Sequence, residues 1–360
     1  MLRPALPRFG LFLQPIHDPR DDPGVALEDD LTLLEHLDRL GFDEAWIGEH
    51  HATGWETVAS PAVFIAAAAA RTRRIRLGSG VVPLPLHHPL VTAGEYALLD
   101  HLTGGRAMLG VGPGGGLPAD PLVFGLDPAR QPAMFAERFD VLMRLFLERE
   151  PFDHDGDGFT LRNAVLNLRP RSLPHPEIAV VAGRSREALR RVGHHGARWL
   201  VGAPLADLDA AWDAVEAGAR EAGRSATRDQ ADLPITLHLA PTRAQALDEV
   251  REAAARERFD FASGVNGRPV PTESRERWVD RLADQDTVVI GTPDDAITKL
   301  AALRERTGVG GFLVTAKWWA GREATLRSYD LLARRVMPAL RGTRADLETA
   351  AAAAAALVDA

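Results

Sequence analysis

The sequence predicts an α/β fold, a single (β/α)8 TIM barrel with insertions after strands 4 and 7. Short apolar runs alternate with helix-like segments along most of the 360 residues, which indicates parallel strands joined by right-handed helical crossovers. About eight such units in a chain of this length favour a closed barrel over an open sheet. We expect the barrel to span residues 1–340 and an alanine-rich tail to span 341–360. The insertions are residues 112–176, with a helix at 131–149 and a hairpin at 151–168, and residues 240–287.

The N-terminal half has clear helix boundaries. Leucines between Leu27 and Leu37 form one face of a helix, and Gly41 ends it. Ser60-Pro61 has the residue types preferred at an N-cap and at the first helical position, so the second helix begins there. His88-Pro89 marks the start of the third helix in the same way. The four strands of this half are predicted at 9–13, 44–47, 75–82 and 106–111.

The C-terminal half continues the alternation, and one of its helices is especially well marked. Thr292 is a suitable N-cap, Pro293 occupies the first helical position, and Asp294 and Asp295 meet the positive end of the helix dipole. The remaining strands are predicted at 178–181, 199–201, 235–239 and 311–315, and the helices at 205–222, 243–260, 293–306 and 322–337.

Composition narrows the class of protein. A net charge of −8 argues against nucleic-acid binding, which needs a basic face. No apolar run approaches the roughly 18 residues of a membrane span, and the absence of cysteine excludes disulfides, thiolate catalysis and cysteine-based zinc sites. Residues 1–15 do not resemble a signal peptide. We therefore expect a cytoplasmic protein without nucleic-acid or membrane partners.

Glu49, His50 and His51 follow the second predicted strand at its carboxyl end, where barrel enzymes place their active sites. Successive side chains of a strand point to opposite sides, so the two histidines do not readily bind one metal, and no metal site is expected. On the residues alone, packing and catalysis are equally good interpretations; an imidazole here can act as a general base or form a hydrogen bond to a bound ligand. His87 and His88 end the third strand similarly, as a rim residue and an N-cap.

Two loops and a tryptophan pair are further candidates. Residues 110–115 match G-x-G-x-x-G, but the following Leu-Pro-Ala-Asp-Pro does not start a helix cleanly, so an active-site loop is favoured over a dinucleotide site. Residues 181–185 precede a helix whose free N–H groups, with Arg184, suit a phosphate, although an ordinary capped turn fits equally well. Trp318 and Trp319 either wall an apolar pocket or serve packing.

Six segments, in this order and spacing, resemble a known family. They are FDEAWIGEHH at 42–51, RLGSGVVPLPLHHP at 76–89, LDHLTGGR at 99–106, IGTP at 290–293, GFLVT at 311–315 and VMPAL at 336–340. The chain resembles the bacterial luciferase-like flavin monooxygenases from about Arg8 to Leu340. Pro113 and Gly183 replace an arginine and an acidic residue of luciferases proper, so the pattern is nearer to the limonene-monooxygenase-like members than to light-emitting enzymes.

The resemblance implies a two-component monooxygenase. In that family, reduced FMN comes from a separate flavin reductase, O2 adds at the flavin C4a position, and the peroxide oxidises a small apolar organic substrate. A homodimer is implied as well. A deazaflavin-dependent hydride-transfer enzyme on the same barrel and a non-catalytic flavin-binding barrel are the alternatives.

The resemblance also implies roles for individual residues. His50 matches the catalytic histidine, and the peptide bond between Gly80 and Val81 is expected to be cis. Together with the loops described above, the resemblance predicts a substrate pocket formed by Phe12, Glu49, His51 and Trp318. The predicted cofactor-binding residues are Ser79, Gly80, Val81, Gly112, Val181, Ala182, Gly183, Arg184 and Ser185.

Overall fold

The computed structural model describes residues 6–315 and 318–358, in which parallel strands close into a barrel. In chain order, the strands are β1 (Arg8–Leu13), β2 (Glu44–Ile47), β3 (Arg76–Ser79), β4 (Val82–Pro83), β5 (Ala107–Gly112), β6 (Phe152–Gly156), β7 (Phe159–Ala164), β8 (Glu177–Ala182), β9 (Arg198–Val201), β10 (Ala231–Leu239), β11 (Val288–Gly291) and β12 (Gly311–Thr315). Within the described residues, the closed ring has eight strands, in the order β1, β2, β3, β5, β8, β9, β10 and β12, and β12 pairs back to β1. The predicted TIM barrel is confirmed, and the eight strands of the ring are those that the sequence predicts.

Helices surround the ring, and several begin at side-chain caps. In chain order they are α1 (Pro23–Leu40), α2 (Pro61–Arg71), α3 (Pro89–Leu102), α4 (Ala119–Val123), α5 (Gln131–Leu147), α6 (Arg186–His195), α7 (Leu208–Glu221), α8 (Arg243–Arg256), α9 (Trp278–Ala283), α10 (Pro293–Thr307), α11 (Gly321–Leu331), α12 (Met337–Leu340) and α13 (Thr343–Val358). Ser60 and Thr292 cap α2 and α10 as predicted, each accepting a hydrogen bond from a first-turn N–H. Gly41 ends α1 with a φ of 82°, a left-handed conformation that glycine adopts without strain. In the described part of the chain, no helix has both the length and the apolar character that crossing a membrane requires.

The predicted strand at 75–82 is divided in the structure. β3 ends at Ser79, and Val82–Pro83 forms β4, which pairs with β5. The Gly80–Val81 peptide bond is cis, as the resemblance implied. Gly110 on β5 lies against this break, because a Cβ there would be 2.1 Å from the carbonyl oxygen of Ser79. A glycine therefore lets the two strands approach closely.

Two short elements lie outside the predictions. β11 pairs in parallel with residues 236–239 of β10, and a four-residue apolar run beside a polar insertion has too little pattern to be recognised. α4 follows the glycine-rich segment, where the two prolines argued against a helix. Pro118 precedes this helix and Pro121 lies in its first turn, where the missing N–H is tolerated.

The interior of the barrel is filled by side chains. The buried cluster consists of one residue from each of five strands, namely Trp46, Met108, Ala179, Leu200 and Leu313, each no more than 1% exposed. Phe12 and Val181, nearer to the carboxyl ends of β1 and β8, are partly buried against this cluster. Because the interior is packed, a ligand site belongs at a barrel edge rather than inside a pore.

Charged side chains close the amino end of the barrel. Arg198, at the start of β9, contacts Glu44, Glu177 and Asp232, which lie at the starts of β2, β8 and β10. Its Nη1 lies 2.6 Å from Oε2 of Glu44 and 2.7 Å from Oε1 of Glu177. Barrel enzymes use this end for stability and the opposite, carboxyl end for catalysis.

Candidate active site

The predicted site residues lie at the carboxyl edge of the barrel. The strands that carry them, β12, β1, β2, β3, β5 and β8, are neighbours in the ring, and parallel strands end at the same edge. Glu49, His50 and His51 follow β2, and Trp318 follows β12. The others are Phe12 on β1, Ser79 at the end of β3 with Gly80 and Val81 after it, Gly112 at the end of β5, and Val181 and Ala182 at the end of β8 with Gly183, Arg184 and Ser185 after them.

Five of these residues form one continuous surface, here called the strand-end surface: Phe12, Gly80, Val81, Gly112 and Val181. A Cβ on Gly80 would lie 3.1 Å from Cε2 of Phe12. On Gly112 it would lie 2.9 Å from Cγ2 of Val81 and 3.7 Å from the carbonyl oxygen of Val181. The two glycines therefore allow side chains and backbone from the ends of β1, β3, β5 and β8 to pack closely.

His50 is held between two carboxylates. Its Nδ1 lies 2.7 Å from Oδ2 of Asp120 on α4, and its Nε2 lies 3.3 Å from Oε1 of Glu56. Both carboxylates are buried, whereas the imidazole is partly exposed. The ring is thus fixed in orientation and still has access to the barrel edge.

Asp120 also organises the backbone after β2. Its Oδ1 accepts hydrogen bonds of 3.0 Å from the N–H groups of His51 and Ala52. Burial alone would raise the pKa of the Asp120 carboxyl, but the hydrogen bonds from His50, His51 and Ala52 outweigh it and hold the pKa below its usual value. An ionised Asp120 can only accept, so the Nδ1 of His50 donates the proton.

The second histidine of the pair has different partners. Nε2 of His51 lies 2.9 Å from Oε1 of Glu49, and Nε2 of His87 lies 2.5 Å from the same oxygen. The hydrogen bond to Glu49 raises the pKa of His51. The rings of His51 and Phe124 pack edge to face, with centroids 4.9 Å apart. The side chains of His50 and His51 therefore diverge, as the alternation of a strand predicts.

The predicted phosphate turn begins α6. The Oγ of Ser185 caps this helix by accepting a hydrogen bond from the N–H of Ala188. The side chain of Arg184 is 77% exposed, and its Nε lies 2.9 Å from Oδ2 of Asp207. Ser79, in contrast, is fully buried, and its Oγ bonds both backbone groups of Gly110. The structure thus places Ser79 as a tie between β3 and β5, beneath the edge.

Trp318 lines a cavity that none of the other predicted pocket residues lines. Together with Trp55 and Trp319, it lines a cavity of about 410 Å³, and its Nε1 donates a hydrogen bond to Asp30. Ile16, which forms a β-bridge with Glu56, also lines this cavity. The cavity therefore adjoins the segment that carries Glu56, and none of the residues of the strand-end surface lines it.

The chain matches the model of one protein family, described as luciferase-like monooxygenase, over residues 7–310. It belongs to this family. The chain is 41% identical to 4-hydroxyprotoasukamycin monooxygenase of Streptomyces nodosus subsp. asukaensis, over 93% of this chain and 92% of that protein. It is 39% identical to limonene 1,2-monooxygenase of Rhodococcus erythropolis, over 93% and 87% of the two chains. The crystal structure of the monooxygenase RslO1 from Streptomyces bottropensis superposes with a TM-score of 0.82 at 26% identity, covering 92% of this chain and 99% of that one.

These matches confirm two predictions from the sequence. The luciferase-like family was predicted from linked motifs, and the family match covers most of the segments that carry them. The class of enzyme, a flavin-dependent monooxygenase, is confirmed by the same findings. The roles of the individual site residues stay predictions.

Two neighbours of the central histidine in this luciferase-like monooxygenase were not predicted from the sequence. Asp120 is separated from His50 by 70 positions and lies in an insertion, so no local spacing relates the two. Glu56 follows Trp55 in an irregular segment without helix or strand periodicity. The only available indication was that the glycine-rich loop preceding Asp120 was already a candidate active-site loop.

Proposed function

We propose that this chain is the oxygenase component of a two-component, FMN-dependent monooxygenase that oxidises a small apolar organic substrate. The observation that carries the proposal is the imidazole of His50, held between Asp120 and Glu56 at the carboxyl end of β2. Membership of the luciferase-like family supports the flavin and the oxygen chemistry. A separate flavin reductase would supply the reduced FMN, which provides the electrons that activate O2.

The residues present fit a flavin. The strand-end surface is apolar, and the partly exposed side chains of Phe12, Val81 and Val181 offer a planar ring system an apolar surface to lie on. The turn Val181–Ser185 leads into α6, whose first N–H groups and helix dipole suit a phosphate. Arg184 is exposed and bonded to an exposed carboxylate, so it is free to exchange that partner for a phosphate.

His50 would act as the general acid–base in this reaction. Its Nδ1 already donates a hydrogen bond to Asp120, so its Nε2 is the ring atom that can hold or release a proton. Glu56, 3.3 Å from Nε2, is placed to exchange a proton with it. Phe12, Glu49 and His51 would line the inner part of the substrate pocket, and Trp318 would line the adjoining 410 Å³ cavity.

Anaerobic titration with reduced FMN and, separately, with a reduced deazaflavin tests the cofactor. We expect reduced FMN to bind with micromolar or tighter affinity, followed by substrate oxidation after an oxygen pulse in a screen of small apolar compounds. Tight binding of the deazaflavin without retention of FMN would favour the hydride-transfer alternative. Binding of FMN without any oxygen-dependent turnover would favour a non-catalytic flavin carrier.

Replacement of His50 tests the catalytic assignment. His50→Ala should slow turnover by about 100-fold or more, which is the scale of a positioned general acid–base, while reduced FMN still binds. The readouts are kcat from oxygen consumption and the dissociation constant from the anaerobic titration. Unchanged kcat would reduce His50 to a structural residue.

We also propose that the chain forms a homodimer through α2 and α3. These neighbouring helices present an exposed apolar face that includes Val63, Val91, Leu98 and Leu102. Contiguous exposed apolar residues indicate an interaction surface, and a symmetric dimer covers the same patch on both subunits. Leu98→Glu should convert the dimer to a monomer in light-scattering measurements. Val270→Glu, at an exposed apolar residue of the second insertion, is the control; a wild-type monomer would overturn the proposal.

A further inference from the structure

We propose that Glu49, His51 and His87 form a binding site for a divalent transition-metal ion, with Zn²⁺ as the best chemical fit. Each residue offers one ligand atom, and these three atoms all lie within 4.8 Å of one another. Two imidazoles and one carboxylate are ligands that Zn²⁺ binds readily, and three protein ligands leave a fourth position open.

The two imidazoles approach the carboxylate from different parts of the barrel edge. His51 follows β2, and His87 follows the turn after β4. Both direct Nε2 at the same oxygen of Glu49, at 2.9 Å and 2.5 Å. Bonds of about 2.0–2.2 Å to a central ion hold neighbouring ligand atoms roughly 3–3.5 Å apart. Small side-chain movements of less than about 1 Å would therefore admit an ion between the three groups.

Burial and charge favour an ion at this point. The side chain of Glu49 is 1% exposed, whereas those of His51 and His87 are 20% and 28% exposed. With neutral imidazoles, the group carries the single negative charge of a buried carboxylate, and a buried charge needs a compensating partner. A divalent cation supplies that charge. The exposure of the imidazoles provides the route of entry and room for a water molecule at the open position.

The neighbouring His50 group does not offer the same arrangement. Its carboxylates, Asp120 and Glu56, lie at opposite nitrogens of one ring and therefore cannot converge on a single ion. His50 and His51 point to opposite sides and do not bind one metal together, and the proposed site does not require them to. It combines His51 with Glu49, which points to the same side, and with His87, which follows β4. The metal site does not depend on the flavin chemistry proposed above.

Calorimetric titration of tag-free, chelator-treated protein with ZnCl2 tests this proposal. We expect one ion per chain with micromolar or tighter affinity. Glu49→Gln and His87→Gln should each weaken binding by about 100-fold or more, because even the loss of a group that only orients a ligand typically costs 10- to 100-fold. His88→Gln, adjacent to His87, and His50→Gln, adjacent to His51, are the controls and should leave the affinity unchanged.

Co²⁺ gives a second readout that does not depend on catalysis. Its visible absorption spectrum should report nitrogen and oxygen coordination in the wild-type protein and lose that signature in His87→Gln. His87 lies on the partly exposed rim, so this variant is expected to fold, and its thermal unfolding in the presence of a chelator checks this. Absence of binding by the wild type would overturn the proposal, as would equal Zn²⁺ affinity in all four variants, which would indicate an adventitious ion only.

Discussion

The carboxylate of Asp120 determines the orientation and the tautomer of the His50 imidazole. It accepts a hydrogen bond from Nδ1 at 2.7 Å and also binds two backbone N–H groups, so it holds both the ring and the loop. A positioned carboxylate of this kind fixes the tautomer and orientation of a catalytic histidine. Asp120 is buried behind the ring and is therefore a positioning residue in the proposed reaction.

Asp120→Asn should lower kcat by roughly 10-fold or more and change KM little. An amide in this position no longer selects the tautomer with the proton on Nδ1, while the substrate pocket keeps its shape. The measurement is a steady-state comparison of kcat and KM across pH. Asp127→Asn, at an exposed aspartate of the same insertion, should behave like the wild type. A rise in KM with unchanged kcat would contradict the positioning role.

The contact between His51 and Glu49 should make stability depend on pH. The folded pKa of His51 is raised by Glu49 above the ordinary value of about 6.5. The contact therefore stabilises the folded protein fully below about pH 6.5. This stabilisation is lost as the pH rises through the folded pKa of His51. In chelator, the difference in melting temperature between wild type and His51→Gln should be largest near pH 6 and shrink toward pH 9. His101→Gln, at an exposed histidine, should show no such trend; a difference that grows with pH would contradict this assignment.

His50 could be predicted as a site residue from the sequence, whereas its partners could not. His50 was a candidate because the carboxyl end of a predicted strand is a position with functional meaning. Asp120, Glu56 and the approach of His87 to Glu49 depend on how loops from different units meet. Residue spacing along one chain contains no information about such contacts.

Among the elements, those with capping residues were predicted best. Thr292, Pro293 and Asp295 fix the start of α10, and the structure contains the full capping box. β11 and α4 have four and five residues, too few for a periodic pattern. The division between β3 and β4 depends on the close approach of Gly110 to Ser79, a contact between distant segments.

Thr292→Ala should destabilise the protein by about 1 kcal/mol. Its Oγ1 accepts a hydrogen bond of 3.2 Å from the N–H of Asp295, and alanine leaves that helix-end donor without this partner. The midpoint and slope of urea unfolding measure the change. Thr298→Ala, at an exposed position inside the same helix, should be neutral or slightly stabilising because alanine has the higher helix propensity. Equal effects of the two substitutions would exclude the cap as the cause.

For the whole molecule, the alternation of strands and helices was sufficient to predict the closed ring. The closure of its amino end was not predictable, because Arg198 meets Glu44, which lies 154 positions away in the sequence. The boundary between barrel and tail is a similar case. Composition placed it at residue 340, yet Arg341 contacts the barrel: its Nη2 lies 2.7 Å from Oδ2 of Asp43.

Two truncations should locate that boundary. The guanidinium of Arg341 lies 5.5 Å from the ring centroid of Phe9, so with Asp43 it makes an ion pair and a cation–π contact, together worth about 1 kcal/mol. Residues 343–356 of α13 are exposed and should add little. A chain ending at Gly342 should therefore match the full chain in urea unfolding within about 0.5 kcal/mol, since exposed segments contribute little to stability. A chain ending at Leu340, and Arg341→Ala in the full chain, should each lose about 1 kcal/mol. Equal losses from both truncations would instead assign the stability to α13.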